Sequence, residues 1–367
     1  MKLSSPENQA ETAVTSSLQA FLETDIAPKA NRLDTDTIAL QRALSQLNQF
    51  QFLGLRVPKV YGGLEASLLT FRQVQALIPR YSGAFAFLQT QHQSAASLLA
   101  NSENQVLKER YLPAMAKGET LMGVGFSQLR RTHNPPLTAI PVEGGYQLAG
   151  KVPWITGYGY FQYFIIGATL PDGKALYGVV PLIPTPQPEG GNLEFSSPMQ
   201  LSVMNATNTV AATVENWFLS EEEVLFIKPA NAIHDSDKKN VLHHGFYALG
   251  CARAGLDILE NNAGKKELPF LEESHQTLAQ KHQSLSEAMF AALPPTETSF
   301  QYRLSLRVKA IHLAQRCAHA AVISSSGAAN AQSHPAQRVY REALLFSVSG
   351  QTKAVMEASL NTIADYV

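Results

Sequence analysis

Apolar residues in the first third of the chain recur at helical spacing. Ala10, Val14, Leu18, Phe21, Leu22 and Ile26 fall on one stripe of a 3.6-residue period, with Pro6 and Glu7 suited to a first turn. Leu40, Leu44 and Leu47 predict a second helix over 37–51, which Gly54, Pro58, Gly62 and Gly63 must end. Thr70 is placed to cap a third helix, and residues 85–117 read as further helix up to Lys117-Gly118. The middle of the chain changes period. Gly144-Gly145 turns into an alternating stretch. The apolar runs Tyr163 to Leu170 and Ala175 to Leu182 flank Pro171-Asp172-Gly173-Lys174, which is a hairpin signal. Residues 184–200, rich in Pro and Gly, read as loop, and strand character returns from Val210 to Phe218. Helical spacing resumes over 241–262, 276–293, 303–325 and 351–366.

Helices, then strands, then helices imply separate layers or domains and not an alternating βαβ protein. The expected division is an N-terminal helical domain over 1–121, a β-domain over 122–232 and a C-terminal helical bundle over 233–367. The chain has 367 residues, enough for two or three packed domains. With 45% hydrophobic and 16% charged residues, the composition is that of a folded chain and not a disordered one. A net charge of -1 leaves no cationic excess for phosphates, which argues against a nucleic-acid partner. Cys251 and Cys317 stand in apolar stretches, each without a second Cys nearby. That suits reduced, buried thiols in a cytoplasmic protein and neither a disulfide nor a zinc site. Met1 to Ala10 is polar, so no secretory signal is expected, and no apolar run reaches the roughly 18 residues a membrane span needs. No GxGxxG or GxxxxGK[ST] pattern is present, so Rossmann and P-loop nucleotide sites lack support.

Four segments carry a more specific signal in order. They are Phe52-Leu53-Gly54-Leu55-Arg56-Val57-Pro58-Lys59-Val60-Tyr61-Gly62-Gly63; Tyr111-Leu112-Pro113 with Lys117-Gly118-Glu119; Gly145 to Lys151 followed by Trp154-Ile155-Thr156-Gly157; and Arg338-Val339-Tyr340-Arg341-Glu342-Ala343. Together and at this spacing they resemble the acyl-CoA dehydrogenase superfamily. The resemblance implies an α+β fold of helical domain, β-domain and helical bundle. It also implies a flavin, usually FAD, between the last two, a small-molecule substrate of the acyl-CoA kind, and a homodimer or homotetramer packed through the bundle. It places Trp154, Ile155 and Thr156 against the flavin ring. Phe126 and Ser127 fall where the family's flavin loop begins, although the Glu-Pro and Gly-Ser-Asp elements of that loop are absent. Lys265 stands for the family's pyrophosphate-binding Arg, and a Lys supplies charge without the bidentate fork. Gly327 alone remains of a Gly-Gly-x-Gly turn, and Thr352 falls on a flavin-contacting Thr.

The resemblance fails at the base. The family's reaction removes a proton α to a thioester while hydride leaves the β-carbon for the flavin, and a Glu of raised pKa does this work. Reading from Arg341 to Thr352, the Glu position falls on Gly350, between Ser349 and Gln351. The alternative position on an earlier helix falls on Asn240. The expectation is therefore a flavin-dependent oxidoreductase acting on a CH–CH group with an atypical base. The alternatives are a flavin-dependent monooxygenase of the same fold and a non-catalytic protein that kept it. His92, on a helix that faces the family's substrate cavity, and Ser349 are the remaining candidates for a catalytic group. His243 and His244, as neighbours on one helix, should point about 100° apart and not share a site. His312 and His319, two turns apart, are too distant to bind one metal, and no metal site is expected.

Overall fold

The computed structural model describes residues 6–131, 133–294 and 297–365. Thr132 in the expected flavin loop and Tyr366 at the expected end of the last helix lie outside them. The first layer is helical: α1 (Pro6–Phe21), α2 (Ala30–Thr35), α3 (Thr37–Gln46), α4 (Leu68–Tyr81), α5 (Gly83–Ala100) and α6 (Gln105–Ala116). Leu18, Phe21, Leu22 and Ile26 are buried as their spacing requires. The cap of α4 is Ser67 and not Thr70. The hydroxyl of Ser67 accepts from Thr70 N–H at 3.2 Å, so the helix begins almost a turn earlier. The expected helix over 85–117 is two helices. Asn104 caps α6, and Ser102 reaches across to the carbonyl of Leu225 at 2.5 Å, which ties the break to the sheet.

The middle of the chain forms one sheet from nine strands among the described residues: β1 (Met122–Gly125), β2 (Leu137–Val142), β3 (Gly145–Ile155), β4 (Tyr163–Thr169), β5 (Ala175–Pro181), β6 (Thr185–Pro186), β7 (Asn192–Phe195), β8 (Val210–Ser220) and β9 (Val224–Lys228). Their order is β6-β7-β8-β3-β2-β4-β5-β9, with β1 parallel to β4. The hairpin at Asp172-Gly173 joins β4 to β5 with Thr169 opposite Ala175. The stretch 184–200, expected as loop, contains β6 and β7. Leu193 pairs with Val214 of β8 and is buried, so tertiary pairing overrides the turn-rich composition.

The chain closes with α7 (Ala232–Lys239), α8 (Gly245–Lys266), α9 (Pro269–Ala291), α10 (Phe300–Ser325), α11 (Pro335–Val348) and α12 (Lys353–Ala364). Helix α8 is central and packs on α10 and on α4. Gly250 permits the second contact, because a Cβ there would stand 2.1 Å from the carbonyl oxygen of Ala76. The expected helix from Val241 starts instead at Gly245. Residues 241–244 form turns, with His243 N–H donating to Asn240 O and Gly245 N–H to Leu242 O. That shift of one turn decides where the two histidines point.

Candidate active site

A cavity of about 1280 Å³ opens where the sheet meets α4, α5, the start of α8 and the loop after α11. Its sheet wall carries Phe126, Ser127, Trp154 and Thr156. Ile155, between the last two, is fully buried behind that wall, as strand alternation requires. Trp154 is 51% exposed, an uncovered aromatic surface in a concave site. Thr156 is buried, with its hydroxyl 3.0 Å from that of Thr209. Three other expected cofactor positions are not among the residues that line the cavity. Lys265 is exposed in the last turn of α8, Gly327 is exposed, and Thr352 caps α12 by accepting from Val355 N–H at 3.3 Å. The residues present thus fit a flat flavin ring on the sheet wall through Trp154, Phe126 and the hydroxyls of Ser127 and Thr156. Within this chain they do not gather a pyrophosphate site.

His92 does not reach the cavity, contrary to expectation. Its side chain is fully buried in the helical layer. Nδ1 accepts from Met122 N–H at 3.3 Å, and Nε2 therefore donates to Leu53 O at 3.1 Å. Burial lowers its pKa to about 4, so it is a neutral strut between α5, β1 and the Phe52–Leu53 segment.

The helix wall departs from the expected pattern in the opposite sense. Because α8 begins at Gly245, His243 and His244 sit in a turn, and both line the cavity; the expectation that they cannot share a site fails for that reason. His244 Nδ1 lies 3.1 Å from the Ser349 hydroxyl. Its ring occupies the space in front of Gly350. A Cβ at that position would stand 2.4 Å from His244 Nε2, and Gly350 already has the left-handed φ of +58°. Burial first, then the Arg307, Arg130 and Arg72 charges, lower the His244 pKa to about 3. Burial and the Arg72 charge bring His243 to about 2. Both imidazoles are neutral throughout the physiological range.

Arg307 holds this arrangement from behind. It is 2% exposed and donates to the carbonyls of Val241 at 3.1 Å and of Ser349 and Gly350 at 2.9 Å each. One guanidinium thereby ties the histidine turn to the loop that carries Gly350. Burial lowers its pKa to about 10, which still leaves it charged. In the sequence, Arg307 stands out as a cation on a stripe shared with the buried Leu304 and Ile311, three and four residues away. Asn240, the other position where the family pattern places a base, also lines the cavity but carries no carboxylate.

A chain of helices, sheet and helices around one cavity, with a cradle for a flat ring on the sheet side, defines a class of two-walled flavin-type site. Residues 8–119 match the family described as acyl-CoA dehydrogenase, N-terminal domain. The chain is 27% identical over 217 residues to isovaleryl-CoA dehydrogenase, mitochondrial, of Solanum tuberosum, covering 57% of this chain and 52% of that one. It is 25% identical over 245 residues to 3-(aryl)acrylate reductase of Clostridium sporogenes, covering 65% and 64%. The matches thus span about half to two thirds of these relatives' lengths. Among solved structures, butyryl-CoA dehydrogenase from Megasphaera elsdenii superposes with a TM-score of 0.81 at 14% identity over 99% of both chains. A glutaryl-coenzyme A dehydrogenase bound to glutaryl-CoA gives 0.80 at 17% identity over 99% of this chain and 96% of that one. At such identities the structural likeness is one of fold. Residues 8–119 thus match an acyl-CoA dehydrogenase N-terminal domain, and the whole chain has the acyl-CoA dehydrogenase fold.

Among the described residues no helix is long and apolar enough to cross a membrane, and no three His, Cys, Asp or Glu side chains gather as a metal site. Cys251 and Cys317 are free and buried, with burial raising both thiols.

Proposed function

We propose that this protein is a flavin-dependent oxidoreductase that acts on the CH–CH group of an acyl thioester or a similar activated acyl compound, with the His244 imidazole in the place of the usual carboxylate base. When bound, FAD would supply the two-electron acceptor for this chemistry. Trp154 and Phe126 would pack on its ring, and Thr156 and Ser127 would offer hydroxyls to its edge. The observation that carries the reading is the position of His244. It fills the space into which a side chain at 350 would project, and it is neutral, so it has a lone pair to accept a proton. A base of pKa about 3 is weak at neutral pH, and proton removal should be slow for that reason. Arg307 and Ser349 act by orienting the imidazole and its loop. The same reading divides the chain into helical, β and helical domains at 121/122 and 232/233. It pairs copies as a homo-oligomer through the C-terminal bundle, where Leu344, Val348, Met356, Leu360 and Ile363 are exposed.

A second reading, a flavin-dependent monooxygenase of the same fold, is favoured by the two neutral histidines and by the lack of a carboxylate among the described residues lining the cavity. The visible absorption spectrum of the purified protein tests the common core of both, and a colourless protein that takes up no added FAD contradicts both. Anaerobic mixing with butyryl- or octanoyl-CoA separates them. Slow bleaching that is lost in His244→Ala supports the dehydrogenase. Fast bleaching that survives in His244→Ala shows that another group is the base. No bleaching, with hydroxylated product formed once the flavin is reduced in air, supports the monooxygenase.

A further inference from the structure

We propose that Ser349 and His244 form a nucleophile–base pair and give the protein a second, flavin-independent activity: the acyl group of a thioester passes to the Ser349 hydroxyl and then to water. This rests on the reading that an acyl thioester occupies the cavity, but on no step of its oxidation.

Three observations at the end of α11 converge. The first is where Ser349 spends its hydroxyl. Ser347, two residues earlier, returns its hydroxyl to its own helix, on Leu344 O at 2.6 Å, and Ser274 and Ser305 do the same on Phe270 O and Tyr302 O. Ser349 instead meets His244 Nδ1 at 3.1 Å, across 105 residues of chain, and both residues line the cavity. That distance is within the reach at which a base activates a hydroxyl. Among the described residues that line the cavity, no other hydroxyl is hydrogen-bonded to an imidazole.

The second is the turn. Gly350 has a φ of +58°, so the chain bends sharply where α11 ends, directly after Ser349. Among the described residues the Gly350 N–H donates to no carbonyl. A serine on a sharp turn, followed by a backbone N–H left over for an oxyanion, is the arrangement that acyl transfer uses. Arg307 clamps both members of the pair, through the carbonyls of Ser349 and Gly350 on one side and of Val241 on the other. No carboxylate stands behind the imidazole. The Tyr247 ring, edge-on with centroids 5.8 Å apart, braces it instead.

The third is charge. The charged residues that line the cavity are Arg56, Arg72, Arg130, Arg131 and Lys239, and among the described residues no Asp or Glu lines it. The charges of Arg307, Arg130 and Arg72 reach His244. They help to keep the imidazole neutral, with a lone pair for the Ser349 proton, and they favour negative charge on a carbonyl oxygen. The same field opposes an imidazolium, so turnover should be slow. In the first step Ser349 Oγ bonds to the thioester carbonyl carbon and the C–S bond breaks. The hydroxyl proton goes to His244 and from there to the departing sulfur. In the second step water bonds to that carbon, its proton passes through His244 to Ser349 Oγ, and the ester bond breaks. The products are a carboxylic acid and a thiol, and nothing is oxidised or reduced.

The test is release of free thiol from octanoyl-CoA by the purified full chain, followed with a chromogenic disulfide reagent before and after loading with FAD. Release is expected in both forms, and it should fall about 10²- to 10⁴-fold in Ser349→Ala and in His244→Ala. Undiminished release in Ser349→Ala means that water attacks directly, which overturns the nucleophile. Undiminished release in His244→Ala overturns the base. If either variant fails to fold, an alkyl fluorophosphonate on the wild-type chain decides. A label on Ser349 that blocks thiol release supports the pair, and no label there overturns it. No thiol release, with the flavin still bleached by octanoyl-CoA, overturns the pair and leaves the oxidation standing. Thiol release that needs Ser349 and His244, with no bleaching, leaves the pair standing while the oxidation falls.

Discussion

The two walls of the cavity differ in how they relate to the acyl-CoA dehydrogenase pattern. The sheet wall keeps what a flat ring needs, an open aromatic at Trp154 and hydroxyls beside it. The helix wall carries no carboxylate among the described residues that line it; the His244 ring fills the space in front of Gly350, and Arg307 ties the two segments together. Docking a cofactor and moving a proton are separable physical tasks, one resting on flat apolar area and the other on the pKa and reach of a single group. On the proposed reading this chain has changed the second while leaving the first in place.

The comparison breaks most readily at Gly350. Gly350→Glu alone must hold a side chain at a left-handed φ and force it into the His244 ring. A loss of about 2–6 kcal/mol is expected, read from the urea midpoint. Adding His244→Gly should return the overpacking share of that loss. A single variant as stable as wild type would mean that the packing around His244 has been misread.

The next effect is on pH. The folded-state pKa values of His92, His243 and His244 lie near 4, 2 and 3, below the unfolded value of about 6.5. Between those limits the unfolded chain binds protons that the folded one refuses. Stability should therefore be level above about pH 6.5 and fall as pH drops, by at most about 1.4 kcal/mol per unit for each imidazole. Replacing His244 with Asn should flatten the acid limb by one such share. An unchanged limb in that variant would show that the ring is already protonated in the fold.

Arg307→Met should cost about 1–3 kcal/mol, since it frees three inward-facing carbonyls while removing a desolvated charge. Faster amide exchange at residues 349–351, with β3 unaffected, would place the effect on the helix wall. Trp154→Ala should do the least. Flavin affinity should drop by the roughly 0.5–1.5 kcal/mol of a stacked aromatic, about 2- to 10-fold, and ligand-free stability should stay within about 0.5 kcal/mol because the ring is half exposed. Undiminished flavin retention would argue that the ring docks elsewhere.

Most of the fold was legible because it follows from period. The hairpin at Asp172-Gly173, the long β8 and the Ala-rich α10 announce themselves by alternation or helical spacing. The sheet wall of the cavity was legible in a local segment, where Trp154 and Thr156 line the cavity and Ile155 between them is buried. The helix wall was not, because it depends on where one helix starts. Val241 and Leu242 fit the helical stripe of the residues after them, but they are held in turns whose carbonyls include one, that of Val241, taken by Arg307 from a helix more than sixty residues away.

Gly350 also has a consequence for how such a protein can change over time. A lineage that lost its carboxylate to glycine could ordinarily regain it by one substitution. Here the space that a side chain at 350 would need is filled by an imidazole from another segment, and the Gly350 backbone sits where side chains are disfavoured. Restoring the acid first meets a clash. Removing the histidine first leaves a hole beside Gly350 and, on the proposed reading, no proton acceptor. Each route to a carboxylate at 350 thus passes through a worse protein, so on the proposed reading the exchange of base would behave as a ratchet.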